Sequence, residues 1–317
     1  MRNTFIQVAY SHGEYKVNRR RWLFGVGLSS LTLSGCALLP QETPTAPPKA
    51  ANTPAAPSQP TRPPRLGLAL GGGAARGFAH IGVLQVLEEQ GIKPDLVVGT
   101  SAGSLVAALY ASGRTPSELE RMAMTLDETT FTDWVFPGRS MLKGEALARF
   151  VRSQVGGRTI ESMRIPLGVV AAELQTGQPA LFRRGDVGSA VRASSAVPAV
   201  FEPVSIGGKE YIDGGTVSPV PVRFARQMGA EVVIAVDISA IPEGQPTKRA
   251  TDILLQTFSI MGKSLGQFEA RDADVVVHPK LAGIGSADFG ARRLSILAGR
   301  EATLMVLPQI RAALRPR

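Results

Sequence analysis

Gly99-Thr100-Ser101-Ala102-Gly103 places a serine between two glycines at the spacing G-x-S-x-G. Before it, Asp95 to Val98 reads as a buried strand, and after it Ser101 to Ala111 reads as a helix ended by Ser112-Gly113. A strand-to-helix turn at that spacing holds the serine in a strained, exposed conformation above the sheet edge. The helix that begins there points its positive end at the charge that develops on a substrate. Ser101 is therefore the candidate nucleophile, with Gly99 and Gly103 expected where the turn is too sharp for side chains.

Two further segments could complete such chemistry. Gly71-Gly72-Gly73-Ala74-Ala75-Arg76-Gly77 follows the short apolar run Leu66 to Leu70. Acyl transfer passes through an oxyanion that needs unobstructed backbone N–H groups, and a glycine loop opening a helix offers them. A nucleotide cradle is the rival use of such a loop, but its last glycine falls one residue late for G-x-G-x-x-G. The acid expected about 20 residues further on falls at Asp95, ahead of the next strand. Tyr211-Ile212-Asp213-Gly214-Gly215 presents a short carboxylate flanked by paired glycines. Taken alone it reads as an ordinary turn, with Asp213 in a tight loop. The chain order also permits a Ser101–Asp213–His278 triad, His278 following Val275 to Val277. His80, on the helix after the glycine loop, reads as a packing or capping residue, and Glu173, Asp186 and Asp237 as structural acids at element ends.

In this order the three segments resemble the patatin-like phospholipase family, over about residues 65–317 and nearest its bacterial branch related to neuropathy target esterase. Arg192-Ala193-Ser194-Ser195-Ala196-Val197-Pro198-Ala199-Val200-Phe201 is similar to a further signature of that family. The resemblance implies a Ser101–Asp213 dyad without histidine, an oxyanion held by amides of Gly72, Gly73 and Ala74, and no metal or other cofactor. It implies for Arg76 a role in orienting the loop or meeting a lipid phosphate, with structural ion pairing the alternative, and makes Gly214 and Gly215 part of the acid's motif. The late final glycine of the loop departs from the spacing of many members. The expected activity is hydrolysis of fatty-acyl esters, of phospholipid or lysophospholipid, through an acyl-enzyme. A lipid-binding lipoprotein with little turnover is the alternative from another class.

The elements that must position these residues alternate. Beyond those named, strands are expected at Leu167 to Ala171, Val232 to Val236 and Asp274 to Val277. Helices are expected at 77–90, 144–155, 219–228, 250–271 and 291–314, with Thr115-Pro116-Ser117-Glu118 a capping box for one more. This pattern predicts a three-layer α/β sandwich with a mainly parallel central sheet. Phe131-Thr132-Asp133-Trp134-Val135-Phe136-Pro137 gathers three aromatics that suit core packing, with the lining of an acyl pocket or contact with lipid the alternative.

Composition bounds the rest. The net charge of +9 is concentrated at the start, where residues 1–35 hold five Lys or Arg against one Glu. No basic cluster interleaved with aromatics tracks a nucleic acid, so mild attraction to anionic lipid is the economical reading. Three histidines and one cysteine argue against a metal hydrolase and an internal disulfide. Arg19-Arg20-Arg21, the apolar run Trp22 to Leu33 and Leu33-Ser34-Gly35-Cys36 resemble a lipoprotein signal with a lipobox. That predicts a signal over 1–35, acyl chains on Cys36, a proline-rich tether over 36–64, and a hydrolase domain over 65–317. Ala37 after the cysteine favours the periplasmic face of an outer membrane, and the arginines leave twin-arginine export open as well as the general route. Residues 1–18 are polar, so translation is expected to start at Val17, which N-terminal analysis of the precursor tests.

Overall fold

The computed structural model describes residues 62–127, 133, 140–239, 247–285 and 287–316. The expected signal, Cys36, most of the tether and all of the aromatic stretch but Asp133 lie outside the described residues. Asp133 accepts hydrogen bonds from the N–H groups of Gly144 and Ala146 and so caps the helix that starts there.

In chain order the elements are β1 (Leu66–Leu70), α1 (Ala79–Glu89), β2 (Leu96–Thr100), α2 (Ala102–Ala111), α3 (Pro116–Thr125) and α4 (Glu145–Gln154). There follow β3 (Leu167–Glu173), β4 (Pro179–Phe182), α5 (Val187–Ser194), β5 (Val204–Ile206) and β6 (Lys209–Asp213). The last are α6 (Val222–Gln227), β7 (Val232–Val236), α7 (Ala250–Ala270), β8 (Val275–Val277) and α8 (Arg292–Ala313). They form one eight-stranded sheet in the order β5-β6-β3-β2-β1-β7-β8, with β4 beside β3. The pairings β1–β2, β2–β3, β1–β7 and β7–β8 are parallel, and those of β4, β5 and β6 are antiparallel.

Side-chain alternation divides β1 between two cores. Leu66, Leu68 and Leu70 pack with α1, α2, α5 and α8, whereas Ala69 packs with Val222, Phe224 and Ala225 of α6 on the other face. A strand buried on both faces has to be apolar throughout, as this one is. Helices therefore cover both faces of a mixed, mostly parallel sheet, and the predicted α/β sandwich is the fold observed.

Several boundaries differ from the expectation for local reasons. The helix expected from Gly77 begins at Ala79, after a 3₁₀ turn over Ala74–Phe78. The one expected over 219–228 shrinks to Val222–Gln227, because Pro219 and Pro221 lack donors and disfavour helix before them. The Thr115–Glu118 capping box is present at the start of α3. Elements not anticipated are β4, α5, β5 and β6. The β5–β6 hairpin has a legible signal, since Gly207 and Gly208, at φ +59° and +78°, make a two-residue turn between alternating segments.

Candidate active site

The register of β3 explains how residues 112 positions apart come to touch. Along one edge of β3, Thr100 of β2 lies opposite Val170, and β2 ends there. The next place on β3, Ala171, pairs with Asp213, the last residue of β6. Since β4 already pairs with β3 over Val169 to Ala172, β6 must occupy the edge that β2 vacates. Two strands running toward each other along β3 thus deliver Ser101 and Asp213 head to head. Asp213 is at a strand end, followed by a 3₁₀ turn, and is not in the isolated loop its glycine neighbours suggested.

Ser101 Oγ donates to Asp213 Oδ2 at 2.7 Å. The serine is only 8% exposed and has φ +53°, ψ −125°, a conformation that L-residues rarely adopt. The strain sits on the serine, not on its glycines. A Cβ on Gly103 would lie 2.1 Å from the Leu70 carbonyl oxygen, and one on Gly99 would lie 2.4 Å from that of Gly103. Close backbone approach, not turn sharpness, is therefore what demands glycine at both places. Ser194, at the end of α5, receives the Ser101 N–H at 2.8 Å and donates to the Val170 carbonyl. It thereby ties the elbow to the sheet, a role that its place in the 192–201 segment did not specify.

Asp213 is 1% exposed, and burial pushes its carboxyl up to about 6 despite the hydrogen bonds from Ser101 and the Gly215 N–H. A carboxylate so raised is a better proton acceptor near neutral pH than an exposed one. Gly214 is pressed against the Val170 carbonyl, where a Cβ would stand at 2.2 Å. Gly215 supplies the N–H that holds the second carboxylate oxygen at 2.7 Å.

The glycine loop lies over the serine, a Cβ on Gly72 standing 3.2 Å from that of Ser101. One expected oxyanion donor is corrected here. The Gly72 N–H is already donated to the Pro219 carbonyl at 2.9 Å. The amides of Gly73 and Ala74 have no acceptor among the described residues, and Ala74 takes φ +52° to turn the loop. Arg76 is 5% exposed and donates through Nε to the Ile238 carbonyl at 3.0 Å and through Nη1 to that of Ile284 at 3.4 Å. Those bonds fasten the loop to the chain beyond β7, while burial lowers the guanidinium from its usual value. His80 donates from Nε2 to the Gly71 carbonyl at 2.8 Å and is pushed down to about 4 by complete burial, so it is neutral and props the same loop.

His278 does not join this group. It lies largely exposed after β8, with Nδ1 3.5 Å from Asp237, while Asp213 bonds the serine directly. Asp237 also accepts from Ser239, Glu173 pairs with Lys209, and Asp186 caps α5 and pairs with Arg152, all structural uses. Asp95 accepts the Leu66 N–H and contributes nothing to the glycine loop. One contributor left no signal in the sequence. Glu269, buried near the end of α7, accepts from Ser218 Oγ at 2.5 Å and from the Val220 N–H at 3.1 Å. The segment it clamps offers the Ser218 carbonyl to Thr100 and the Pro219 carbonyl to Gly72. Glu269 thus fixes the strip on which both the elbow and the loop rest.

Above the serine opens a pocket of about 440 Å³, walled by Leu142, Val197, Val200, Phe201, Leu255, Phe258 and Phe289, with Arg76 and Lys263 its cationic lining residues. Among the described residues no group of three or more His, Cys, Asp or Glu could hold a metal ion. A hydroxyl bonded to a buried carboxylate, two amides without an acceptor among the described residues and an apolar pocket suit acyl transfer from an ester with a hydrocarbon chain.

Comparison with known proteins agrees. An NTE family protein of Mycobacterium tuberculosis is 34% identical over 204 residues, 63% of this chain and 56% of that protein. Human patatin-like phospholipase domain-containing protein 6 is 36% identical over 186 residues, 56% of this chain but 14% of its own length. The chain thus spans about half the length of the mycobacterial relative and a small part of the human one. The crystal structure of VipD from Legionella pneumophila superposes with a TM-score of 0.53 at 15% identity, covering 78% of this chain and 67% of that one, a likeness of fold. The model of the patatin-like phospholipase family matches residues 68–226, from the first strand through the elbow and Asp213 to α6, and the chain belongs to that family.

Proposed function

We propose that the protein is a serine esterase that releases fatty acids from phospholipid or lysophospholipid through a Ser101–Asp213 dyad. The observation that carries this reading is the 2.7 Å hydrogen bond between the two side chains at the floor of an apolar pocket. Ser101 Oγ attacks the ester carbonyl as Asp213 takes its proton, and the Gly73 and Ala74 amides receive the oxyanion. The proton passes to the departing alcohol, leaving an acyl-serine. Water then attacks that ester as Asp213 accepts its proton, and Asp213 returns the proton to Ser101 Oγ as the acyl–oxygen bond breaks and the fatty acid leaves. A carboxylate is a weaker base than imidazole, which favours esters over amides as substrates. Arg76 serves in this reading to hold the loop in place. The acyl chains expected on Cys36 would keep the enzyme at the periplasmic face of an outer membrane, beside its substrate.

Fatty-acid release by the full chain from short-chain aryl esters and from mixed phospholipid tests the proposal. Ser101→Ala and Asp213→Asn should each lose activity and His278→Ala should keep it. Wild-type protein with no turnover and no labelling by a fluorophosphonate would show a binding protein instead.

A further inference from the structure

α7 has two apolar faces, and only one of them has a partner among the described residues. Its inner face contributes Leu255, Phe258, Ser259 and Gly262 to the pocket above Ser101. Its C-terminal end is anchored by the buried Gly266, Glu269 and Ala270. On the outer face Ile253, Leu254, Ile260, Met261 and Phe268 are exposed to solvent, Met261 and Phe268 by 63% and 64%. Leu254, Met261 and Phe268 are seven residues apart, so they lie along one side of the helix. The stripe from Ile253 to Phe268 is about 24 Å long at the rise of an α-helix. A contiguous apolar stripe of this length left exposed marks an interaction surface, so this outer face calls for an occupant.

We infer that the outer face of α7 docks on the surface of a lipid bilayer, bringing the mouth of the catalytic pocket against the layer that supplies its substrate; the inference rests on the proposed lipid acyl hydrolase activity. Three features favour lipid over another occupant. First, the docking face and the pocket wall are opposite sides of one helix, so contact with a bilayer leaves an acyl chain a short path into the pocket. Second, the exposed positions between the apolar ones are Thr257, Ser264 and Gln267, none charged. A coiled-coil seam with a second copy would carry charges beside its apolar positions. Third, the start of the stripe keeps a net positive charge on exposed Lys248, Arg249 being paired with Asp252, while at its other end Arg271 is offset by exposed Asp272. An uncharged apolar band with one cationic end suits an anionic lipid surface. Among the described residues no helix is long and apolar enough to cross a membrane, so α7 would lie on the bilayer.

Cys36 is the one cysteine, so the full chain carrying Cys36→Ala with Met261→Cys takes a single environment-sensitive fluorophore on α7. Arg121→Cys on α3 in the same background is the reference position. Vesicles of phosphatidylethanolamine and phosphatidylglycerol should shift the α7 emission to the blue and leave the α3 emission unchanged. Leu254→Glu and Met261→Glu should each reduce hydrolysis of vesicle phospholipid about tenfold or more and leave hydrolysis of a soluble aryl ester unchanged. A blue α7 emission without vesicles would overturn the inference. If it grows with protein concentration, the occupant is a second copy, and if not, a segment of the chain itself. Active enzyme whose α7 emission ignores vesicles would also overturn it, with the esterase reading intact. Vesicle-dependent shift in a protein that cleaves no ester would reject the esterase and keep the docking surface.

Discussion

Replacing Asp213 by Asn removes a charge that the fold holds against its own stability. Burial raises this carboxyl from 3.8 to about 6. The folded protein therefore binds the proton more tightly than the unfolded chain does. Its contribution to stability is present below pH 3.8 and is lost as pH rises through about 6. At about 1.4 kcal/mol per pKa unit, the ionised carboxylate destabilises the folded state by about 3 kcal/mol at pH 8. Roughly half of that loss, about 1.5 kcal/mol, is already present at pH 5, and the rest appears between pH 5 and 8. An amide in the same place does not titrate. It also alters the hydrogen bonds with Ser101 and Gly215, a pH-independent change of about 1 kcal/mol each. The informative quantity is therefore the pH dependence of the difference between the two proteins, measured by urea unfolding of the full chain. The stability of Asp213→Asn relative to wild type should grow by about 1.5 kcal/mol from pH 5 to pH 8, while its esterase activity stays lost. A difference that stays flat, or shrinks, over that range would refute the claim that the site keeps an unfavourably buried carboxylate for use as a base.

Other consequences are open to measurement. If Asp213 must be ionised to accept the serine proton, kcat/KM should rise with pH through about 6 and level off above it, falling about tenfold from its plateau at pH 5. Ser194→Ala leaves the buried Ser101 N–H and the Val170 carbonyl without their partner, so it should cost about 1–3 kcal/mol in urea unfolding and lower kcat. Glu269→Gln should lower kcat for a soluble ester with little change in KM, because its clamp on Ser218 and Val220 positions the elbow and the loop without lining the pocket; a change confined to KM would refute that role. Gly103→Ala drives a methyl to 2.1 Å from the Leu70 carbonyl, and thermal unfolding should show a loss of more than about 3 kcal/mol or no folded protein.

The candidate nucleophile was legible because its requirements are local. Glycines two residues either side of Ser101, apolar residues before it and a helix after it all fall within one short stretch. Strands such as Leu66–Leu70 and Val232–Val236 were legible for a related reason, since burial on both faces requires unbroken apolar runs. The four half-buried residues of β4 carry no comparable signature. Nor does the short hairpin strand β5, where the paired turn glycines were the one available sign.

What the residues determined alone was an α/β sandwich, a serine elbow and a glycine loop ahead of it, since alternation, turn chemistry and steric limits act between near neighbours. Asp213 in isolation read as a turn, and it became a candidate base by resemblance. The tertiary structure decided its geometry, because only the register on β3 puts the end of β6 where β2 stops. The same holds for Glu269 and for the engaged N–H of Gly72, whose partners lie 51 and 147 residues away in the chain. Contacts across such separations depend on how the sheet is assembled, and no local pattern of residue types encodes that assembly.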